Sequence, residues 1–247
     1  MTKRESLLFL KSLKADGIEH VYLKQSRDHA PRTTSHEKDK DREPRTTTPD
    51  ITAVAHGPCP VSPEIEALRA KVEKCKLCGE LAKTRKKVVF GAGNIQAKLV
   101  FVGEAPGADE DEQGLPFVGR AGQLLTKIIE AMGMARDQVF ICNVLKCRPP
   151  HNRPPAPGEV VHCRPYLKRQ LEIIKPKVIV ALGNHAVKTL LQTEQGISQL
   201  RGTFQTYEGI PMMCTYHPAY LLRSPGEKRK VWEDMKKVMQ LLARSEE

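Results

Sequence analysis

The chain has 247 residues and a formal net charge of +11, so its length suggests one or two domains. Its most apolar stretches, such as residues 178–182, are far shorter than the roughly 20 residues that a membrane span needs. The apolar run at residues 7–10 is also too short for a secretory signal. Seven cysteines, an odd number, argue against a disulfide framework. We therefore expect a cytoplasmic protein with no membrane association.

The positive charge is unevenly distributed along the chain. Residues 1–60 carry a net charge of +2 and the remaining residues +9. A basic folded domain attracts polyanions, which favours nucleic acid, an anionic surface or an acidic protein as its partner. Residues 25–60 are rich in Ser, Thr, Pro and mixed charge, and such a segment buries too little apolar area to offset its conformational entropy. We predict a largely disordered N-terminal extension over 1–60 and one domain over 61–247.

The domain begins with a helix signal and continues as alternating strands and helices. Ser62 and Pro63 precede apolar residues at helical spacing, which is typical of a helix start. Apolar, β-branched runs predict four strands, at 98–103, 139–144, 177–183 and 211–216. Helical patterns separate or follow them, at 121–132, 157–174, 184–191 and 226–242. The sequence predicts an α/β fold with a central, mainly parallel four-stranded sheet, whose ligands bind at the carboxyl ends of the strands.

Four cysteines form two pairs. Cys75 and Cys78 make a C-x2-C motif, and Cys147 and Cys163 flank a proline-rich loop. Four thiolates held in this way can coordinate zinc or an iron–sulfur cluster. A redox pair is an alternative for C-x2-C, but no thioredoxin-like βαβ pattern precedes it. Zinc ribbons usually pair two close C-x2-C motifs, so the wide spacing of the second pair favours iron–sulfur.

The segments that follow the predicted strands carry candidate ligand contacts. The first strand leads into an acidic turn, 104–112. An alternative interpretation of this turn is a solvated surface loop without a function. Phe117 follows in a glycine-rich segment, where an aromatic ring can stack on a base. Gly119 and Gly122 open a helix whose free N–H groups suit a phosphate. Asn143 ends the second strand, and its amide offers the donor and acceptor that complement a pyrimidine edge.

The fourth strand leads into His217 and a short apolar segment. A lone histidine is more often structural than catalytic, but this one stands at the end of a strand and precedes a proline. Tyr220, Leu221 and Leu222 follow it and have the pattern of exposed apolar residues, and Arg223 comes next. An apolar wedge beside a basic residue suits a protein that unstacks DNA.

Together these motifs resemble those of family 4 uracil-DNA glycosylases, the iron–sulfur members of the uracil-DNA glycosylase superfamily. The motifs are residues 103–107, 116–119, 143, 146–150 and 217–219, and the resemblance covers about residues 64–243. It implies a three-layer α/β/α sandwich and a 4Fe-4S cluster held by the four cysteines. It also implies hydrolysis of the bond between uracil and deoxyribose in single- or double-stranded DNA, after extrusion of the nucleotide, by a monomer.

The resemblance assigns roles to individual residues. Glu104 and His217 are the implied catalytic residues, His217 as a donor to uracil O2 and Glu104 as support for the cationic sugar or the water. Glu110 stands where the family blocks the 5-methyl group of thymine. Better-known branches carry an Asp where this chain has Ala105, so an Asp-activated water is absent here. The implied uracil contacts are Ala105, Glu110, Phe117, Asn143 and Asn152.

The implied DNA contacts surround those residues. They are Gly119, Arg120, Gly122, Arg148, Arg153, Tyr220, Leu221, Leu222 and Arg223. Lys146 and Arg201 are further basic residues that we expect near the DNA. Two other functions remain open at this point: a non-catalytic nucleic-acid-binding module with the same fold, and a zinc-stabilised protein-interaction domain.

Overall fold

The computed structural model describes residues 62–244, and the predicted extension over 1–60 lies outside the described residues. A six-stranded sheet forms the centre, in the order β1-β3-β2-β4-β6-β5. The strands are β1 (Ala92–Gly93), β2 (Leu99–Gly103), β3 (Phe140–Asn143), β4 (Val178–Leu182), β5 (Phe204–Tyr207) and β6 (Ile210–Thr215). The four predicted strands correspond to β2, β3, β4 and β6, which pair in parallel.

The two edge strands were not predicted, and both are antiparallel to their neighbours. β1 has only two residues, too few to give a hydrophobic pattern. β5 has the sequence FQTY, and only its last residue is buried, so it lacks the continuous apolar run of a buried strand. The prediction of a mainly parallel sheet is confirmed, and its strand count is corrected from four to six.

The helices connect the strands in the predicted alternation. They are α1 (Pro63–Glu73), α2 (Gly79–Thr84), α3 (Ala108–Gln113), α4 (Arg120–Ala131), α5 (Pro157–Ile174), α6 (Asn184–Leu191), α7 (Ile197–Leu200), α8 (Pro218–Arg223) and α9 (Lys228–Arg244). Short 3-10 turns span Arg136–Gln138, Pro150–Asn152 and Pro225–Glu227. In the described part of the chain, none of these helices combines the length and apolar composition needed to cross a bilayer.

Alternate side chains of the buried strands pack on opposite faces of the sheet, as the two-residue period of a strand requires. Phe101 of β2 and Val180 of β4 face a cluster that includes Leu125 of α4 and Trp232 of α9. Their neighbours in sequence face a second cluster, formed with α1, α5 and α6. Helices therefore cover both faces, and the predicted three-layer α/β/α sandwich is confirmed.

The order of the strands locates a binding site. From β2 the chain moves to β3 on one side and later to β4 on the other, so the direction of winding reverses beside β2. Ligands of such sheets bind at this switch point, outside the carboxyl ends of the strands. The carboxyl ends of the four parallel strands are Gly103, Asn143, Leu182 and Thr215.

Candidate active site

A cleft of about 550 Å³ opens at the carboxyl edge of the sheet. Residues that follow each of the four parallel strands line it, so its walls come from distant parts of the sequence. The two predicted catalytic residues and the five predicted uracil contacts all lie in this lining: Glu104, Ala105, Glu110, Phe117, Asn143, Asn152 and His217. Asn184 and His185, at the start of α6, also line the cleft; the sequence analysis missed them, although they directly follow a predicted strand.

Asn143 and Phe117 meet above Gly103. The Asn143 side chain is only 1% exposed, and its Oδ1 has no hydrogen-bond partner among residues 62–244. A Cβ atom at residue 103 would collide with Asn143 Oδ1 and come within 2.6 Å of the Phe117 ring. Because residue 103 has no side chain, the Phe117 ring and the Asn143 amide can both lie close to its α-carbon. A buried amide with an unpaired oxygen is costly, unless a ligand supplies the missing partner.

The Phe117 loop is held in an uncommon conformation. Phe117 has φ of 52°, in the left-handed region that side chains other than glycine rarely adopt. Arg136 fixes the turn, because its Nη2 donates to the carbonyl oxygens of Pro116 at 2.7 Å and Phe117 at 3.1 Å. Gly122 packs so closely on the Phe117 backbone that no Cβ would fit there. These contacts set the position of the ring, and local sequence patterns did not reveal the role of Arg136.

Glu110 joins the acidic turn to the Phe117 loop. Its Oε2 accepts from the Gly107 N–H at 3.1 Å, and its Oε1 accepts from the Val118 and Gly119 N–H groups at 2.9 and 3.2 Å. Three backbone donors thus hold one carboxylate at the wall of the cleft. The Gly119 N–H is engaged in this contact, which differs from its predicted role as a phosphate donor.

Glu104 lies directly after β2 and is partly buried in the cleft wall. Burial raises the pKa of its carboxyl group, and the nearby His185 opposes this shift. A backbone bond from the Leu145 N–H to the Glu104 carbonyl oxygen, 3.0 Å long, ties this residue to the segment after β3. Burial therefore favours the protonated form of the Glu104 carboxyl group, and the nearby His185 favours the ionised form.

His217 caps the N-terminus of α8 with its side chain. Its Nδ1 accepts from the Ala219 backbone N–H at 3.1 Å, so the proton of the neutral ring lies on Nε2. Burial lowers the pKa of His217 to about 4; the positive charge of Arg223 acts in the same direction, and Glu110 opposes both. The ring lies 5.5 Å from the Phe117 ring, centroid to centroid. A neutral imidazole N–H donor therefore stands beside the aromatic face.

Comparison with known proteins agrees with this geometry. The sequence model of the uracil DNA glycosylase superfamily matches residues 90–236. A protein of Saccharolobus solfataricus named Type-4 uracil-DNA glycosylase is 43% identical over 188 residues, which cover 72% of this chain and 87% of the relative. The protein of that name in Thermotoga maritima is 45% identical over 177 residues, covering 70% of this chain and 92% of the relative. The chain belongs to the type-4 family of the uracil DNA glycosylase superfamily.

A Type-5 uracil-DNA glycosylase of Pyrobaculum aerophilum is also similar, with 31% identity over 151 residues, which cover 54% of this chain and 66% of the relative. The type-4 relatives share more residues and a longer stretch with the chain. The comparisons therefore place it in the type-4 family.

The short helix α8 of this type-4 family member presents only part of the predicted wedge. Tyr220 and Leu222 are 37% and 44% exposed, and Tyr220 and Arg223 line the cleft. Leu221 is 1% exposed and packs in the core with α4 and α9. The prediction that Leu221 is an exposed residue is thus wrong, because one face of this helical turn lies against the core.

The predicted basic DNA contacts differ in whether their side chains are already bound to other residues of the protein. Arg120 is exposed at the start of α4, and Arg148 donates to Asn152 Oδ1 at 2.8 Å. Arg153 lines the cleft but binds Glu159 and Glu80, each at 2.6 Å, and these bonds raise its pKa. Gly122 is buried beneath the Phe117 loop, which differs from its predicted place at a phosphate.

Two other basic residues that we expected near the DNA are engaged inside the protein. Lys146 is 1% exposed, so the expectation that it faces DNA is wrong. Arg201 forms an ion pair of 2.6 Å with Asp234, which is fully buried and also accepts from Thr215 Oγ1 at 2.7 Å. Because Thr215 is the last residue of β6, this network supports the strand end that leads into His217. No local pattern in the sequence predicts this network.

The four predicted metal ligands gather on one side of the molecule. Cys147 and Cys163 are buried together with Leu81 and Leu145, and Cys78 packs against them. Burial raises the pKa of the Cys163 thiol to about 11, and Cys147 and Cys78 contribute in the same direction. Cys75 likewise contributes to raising the pKa of the Cys78 and Cys147 thiols, for which burial is the main cause. The structure therefore brings the two distant cysteine pairs into one group.

Each of these thiols has a polar neighbour. Arg85 Nη1 donates to Cys147 Sγ at 3.0 Å, and Cys78 Sγ lies 3.5 Å from His162 Nδ1. Lys146 donates its backbone N–H to Cys163, and Tyr166 shares a hydrogen bond with Cys75. Donors beside sulfur are typical of the surroundings of thiolate ligands.

Four cysteine thiols from two distant pairs are a donor set that both zinc sites and iron–sulfur clusters use. Within residues 62–244, no group of three or more His, Cys, Asp or Glu side chains is spaced to hold one metal ion.

Proposed function

We propose that this chain removes uracil from DNA by hydrolysing the N-glycosidic bond, as a base excision repair enzyme that acts on deaminated cytosine. The observation that carries the proposal is the buried Asn143 amide, whose Oδ1 is unpaired beside the Phe117 ring. Uracil offers an N–H donor between two carbonyl acceptors, and an amide can pair with one donor and one acceptor at once. A flipped uracil would therefore satisfy the buried amide and stack on the ring.

Glu110 would exclude thymine from the same pocket. Its carboxylate is fixed by three backbone N–H groups and cannot turn away without leaving them unpaired. A 5-methyl group directed at a fixed, partly buried carboxylate would have to remove water from the charge. Ala105 and Asn152 complete the wall and would contact the extruded nucleotide.

His217 would stabilise the leaving base. When the C1′–N1 bond breaks, its electron pair leaves with uracil and negative charge develops on O2. Because Nδ1 is occupied by the Ala219 N–H, the Nε2–H is the available donor. A preorganised neutral donor of this kind contributes about 10²- to 10³-fold to the rate in comparable sites.

Glu104 would act on the sugar side of the reaction. A carboxylate near C1′ favours the developing positive charge of the sugar and accepts a hydrogen bond from the attacking water. Water adds to C1′ as a hydroxyl group, and the proton it releases balances the negative charge on uracil. The products are free uracil and an abasic site.

The DNA surface would lie around the cleft. Tyr220 and Leu222 provide exposed apolar area for the gap left by the flipped nucleotide. Arg120, Arg148 and Arg223 are the candidate contacts to phosphates. Arg153 would act by holding the loop around Asn152 through its bonds to Glu80 and Glu159. We propose that the protein acts as a monomer in the cytoplasm.

The cysteine group would hold a 4Fe-4S cluster with Cys75, Cys78, Cys147 and Cys163 as ligands. Its role would be structural. It would join the end of α1 and the start of α2 to α5 and the proline-rich loop 148–157, which carries Asn152 at the cleft.

The test is incubation with a uracil-containing oligonucleotide followed by alkaline cleavage. We expect strand scission with single- or double-stranded uracil substrates and none with the matching thymine strand. His217→Ala should lower the single-turnover rate about 10²- to 10³-fold and change DNA affinity much less. Lys127→Met, an exposed change on α4, is the control and should cleave like the wild type. If the wild type leaves uracil strands intact, the chain is a binding module and not a glycosylase.

A further inference from the structure

Lys146 is a buried basic side chain that the proposed reaction does not use. It lies three residues after Asn143 and is 1% exposed. Its Nζ donates to the backbone carbonyl oxygen of Asn143 at 2.7 Å and to Gln170 Oε1 at 2.6 Å. A buried lysine is costly unless its donors are paired, so this arrangement constrains the residues around it.

Gln170 extends the contact into α5. It is fully buried, and its Nε2 donates to the Phe90 carbonyl oxygen at 2.8 Å. The amide of Gln170 is therefore fixed at both ends, and it holds the Lys146 ammonium in one place. The end of β3 is thus anchored to the helix that covers that face of the sheet.

Lys146 also touches the cysteine group. Its backbone N–H donates to Cys163, and the next residue along the chain is Cys147. Burial lowers the pKa of Lys146, and the nearby thiols of Cys142, Cys163 and Cys147 oppose this shift. One residue therefore contacts both the proposed cluster site and the proposed base-reading site.

We propose that Lys146 is a positioning residue that fixes Asn143 for reading the base. The inference rests on the proposed function. Asn143 Oδ1 has no partner in the described part of the chain, so the direction of its amide depends on the backbone that carries it. Asn143 is the last residue of β3, and the ammonium satisfies its carbonyl oxygen where the strand ends. Without that bond, the buried carbonyl would lose its ammonium donor, and the strand end would shift.

The first test is the affinity of Lys146→Met for two duplexes of the same sequence. One contains 2′-fluoro-2′-deoxyuridine, an analogue that resists hydrolysis, and the other contains thymidine. We expect binding of the uracil analogue to weaken about tenfold, the size of one hydrogen bond to a charged group, while binding of the thymidine duplex is unchanged. Lys127→Met is the matched control and should bind both duplexes like the wild type. Equal weakening on both duplexes would overturn the proposal.

The second test is a double-mutant cycle with Asn143→Ala. If Lys146 acts through Asn143, its substitution should cost nothing further once the amide is gone, so the two effects are not additive. Additive losses would show that Lys146 acts elsewhere and would refute the positioning role. Because the wild type is measured in the same series, a wild type without preference for the uracil analogue would instead contradict the proposed function.

Gln170→Leu is a second variant that tests the proposal if Lys146→Met does not fold. It removes the second acceptor of the ammonium and leaves the lysine in place. We expect a selective loss of affinity for the uracil analogue in the same direction, with a cooperative thermal transition. A folded Gln170→Leu protein that keeps full affinity for the analogue would also overturn the proposal.

Discussion

At the scale of single residues, the site depends on polar atoms whose pairing is settled before substrate arrives. His217 Nδ1 is occupied by a backbone N–H, and Glu110 is bound by three. Only the Asn143 amide has a buried oxygen without a partner among these groups. Groups that cannot reorient need little reorganisation when charge develops, which is the physical basis of electrostatic catalysis.

The pKa of His217 gives a prediction about pH. A value of about 4 keeps the ring neutral well below the ordinary histidine value of about 6.5. The unfolded chain therefore binds a proton here that the folded chain does not, so this residue lowers stability as the pH falls from about 6.5 to about 4. We expect ¹⁵N-histidine NMR to show a neutral His217 ring, protonated on Nε2, at about pH 5.5.

The assignment uses His217→Ala as the reference spectrum, because the signal of interest disappears in that variant. A His217 signal that titrates near the ordinary value of about 6.5 would mean that the ring is mostly charged at about pH 5.5. The buried neutral donor proposed here would then be wrong.

At the scale of elements, side chains from distant segments join the loops that carry the chemistry. Arg136 fixes the Phe117 turn, and Glu110 joins that turn to the start of α3. Arg85, after α2, donates to Cys147 Sγ at 3.0 Å and to the Cys75 carbonyl oxygen at 2.8 Å. One guanidinium thus connects the first cysteine pair to the second.

Arg85→Met should weaken the hold of the protein on its proposed cluster. Loss of a residue that orients metal ligands typically costs about 10- to 100-fold in metal affinity. We expect less iron per chain and lower absorbance near about 400 nm after anaerobic purification and challenge with a chelator. Arg85→Lys keeps the charge but not the planar fork, so it should recover only part of the iron. Lys83→Met, an exposed change on α2, should retain iron like the wild type, and equal retention by Arg85→Met would refute the connecting role.

The sequence predicted the elements better than the contacts between them. The four parallel strands are continuous apolar runs, and the residues that follow them were found because parallel strands end at one edge. The short edge strands and the burial of Leu221 and Lys146 were missed. Their cause lies in packing between segments far apart in the chain, which local composition does not record. The roles of Arg136 and Asp234 were missed for the same reason.

At the scale of the whole molecule, the net charge of +11 overstates the charge available to DNA. Lys146 is buried, Arg201 is paired with Asp234, and Arg153 is paired with two carboxylates. Arg223 remains exposed at the cleft. Affinity for DNA phosphates depends on charges that release counterions, so a few exposed residues should carry most of its salt dependence.

Arg223→Gln should therefore reduce the salt dependence of DNA binding. The slope of log affinity against log salt should become shallower by about 0.9 for duplex DNA, the effect of one phosphate contact. The control is Lys168→Gln, because Lys168 lies near the starts of β4 and β6 and pairs with Glu208. Binding titrations over a range of salt concentrations give both slopes. Identical slopes for Arg223→Gln and the wild type would show that Arg223 does not contact DNA phosphates.

Gly103 has a consequence for how this gene tolerates mutation. The hydrogen atom at its α-carbon is the only side group that leaves room for both the Phe117 ring and the Asn143 amide. The smallest missense change at this codon would therefore displace the Asn143 amide and the Phe117 ring and leave Glu104 and His217 unchanged. Gly103 has no side chain and performs no chemistry. In a library selected for loss of uracil repair, substitutions at Gly103 should nevertheless be as damaging as substitutions at His217.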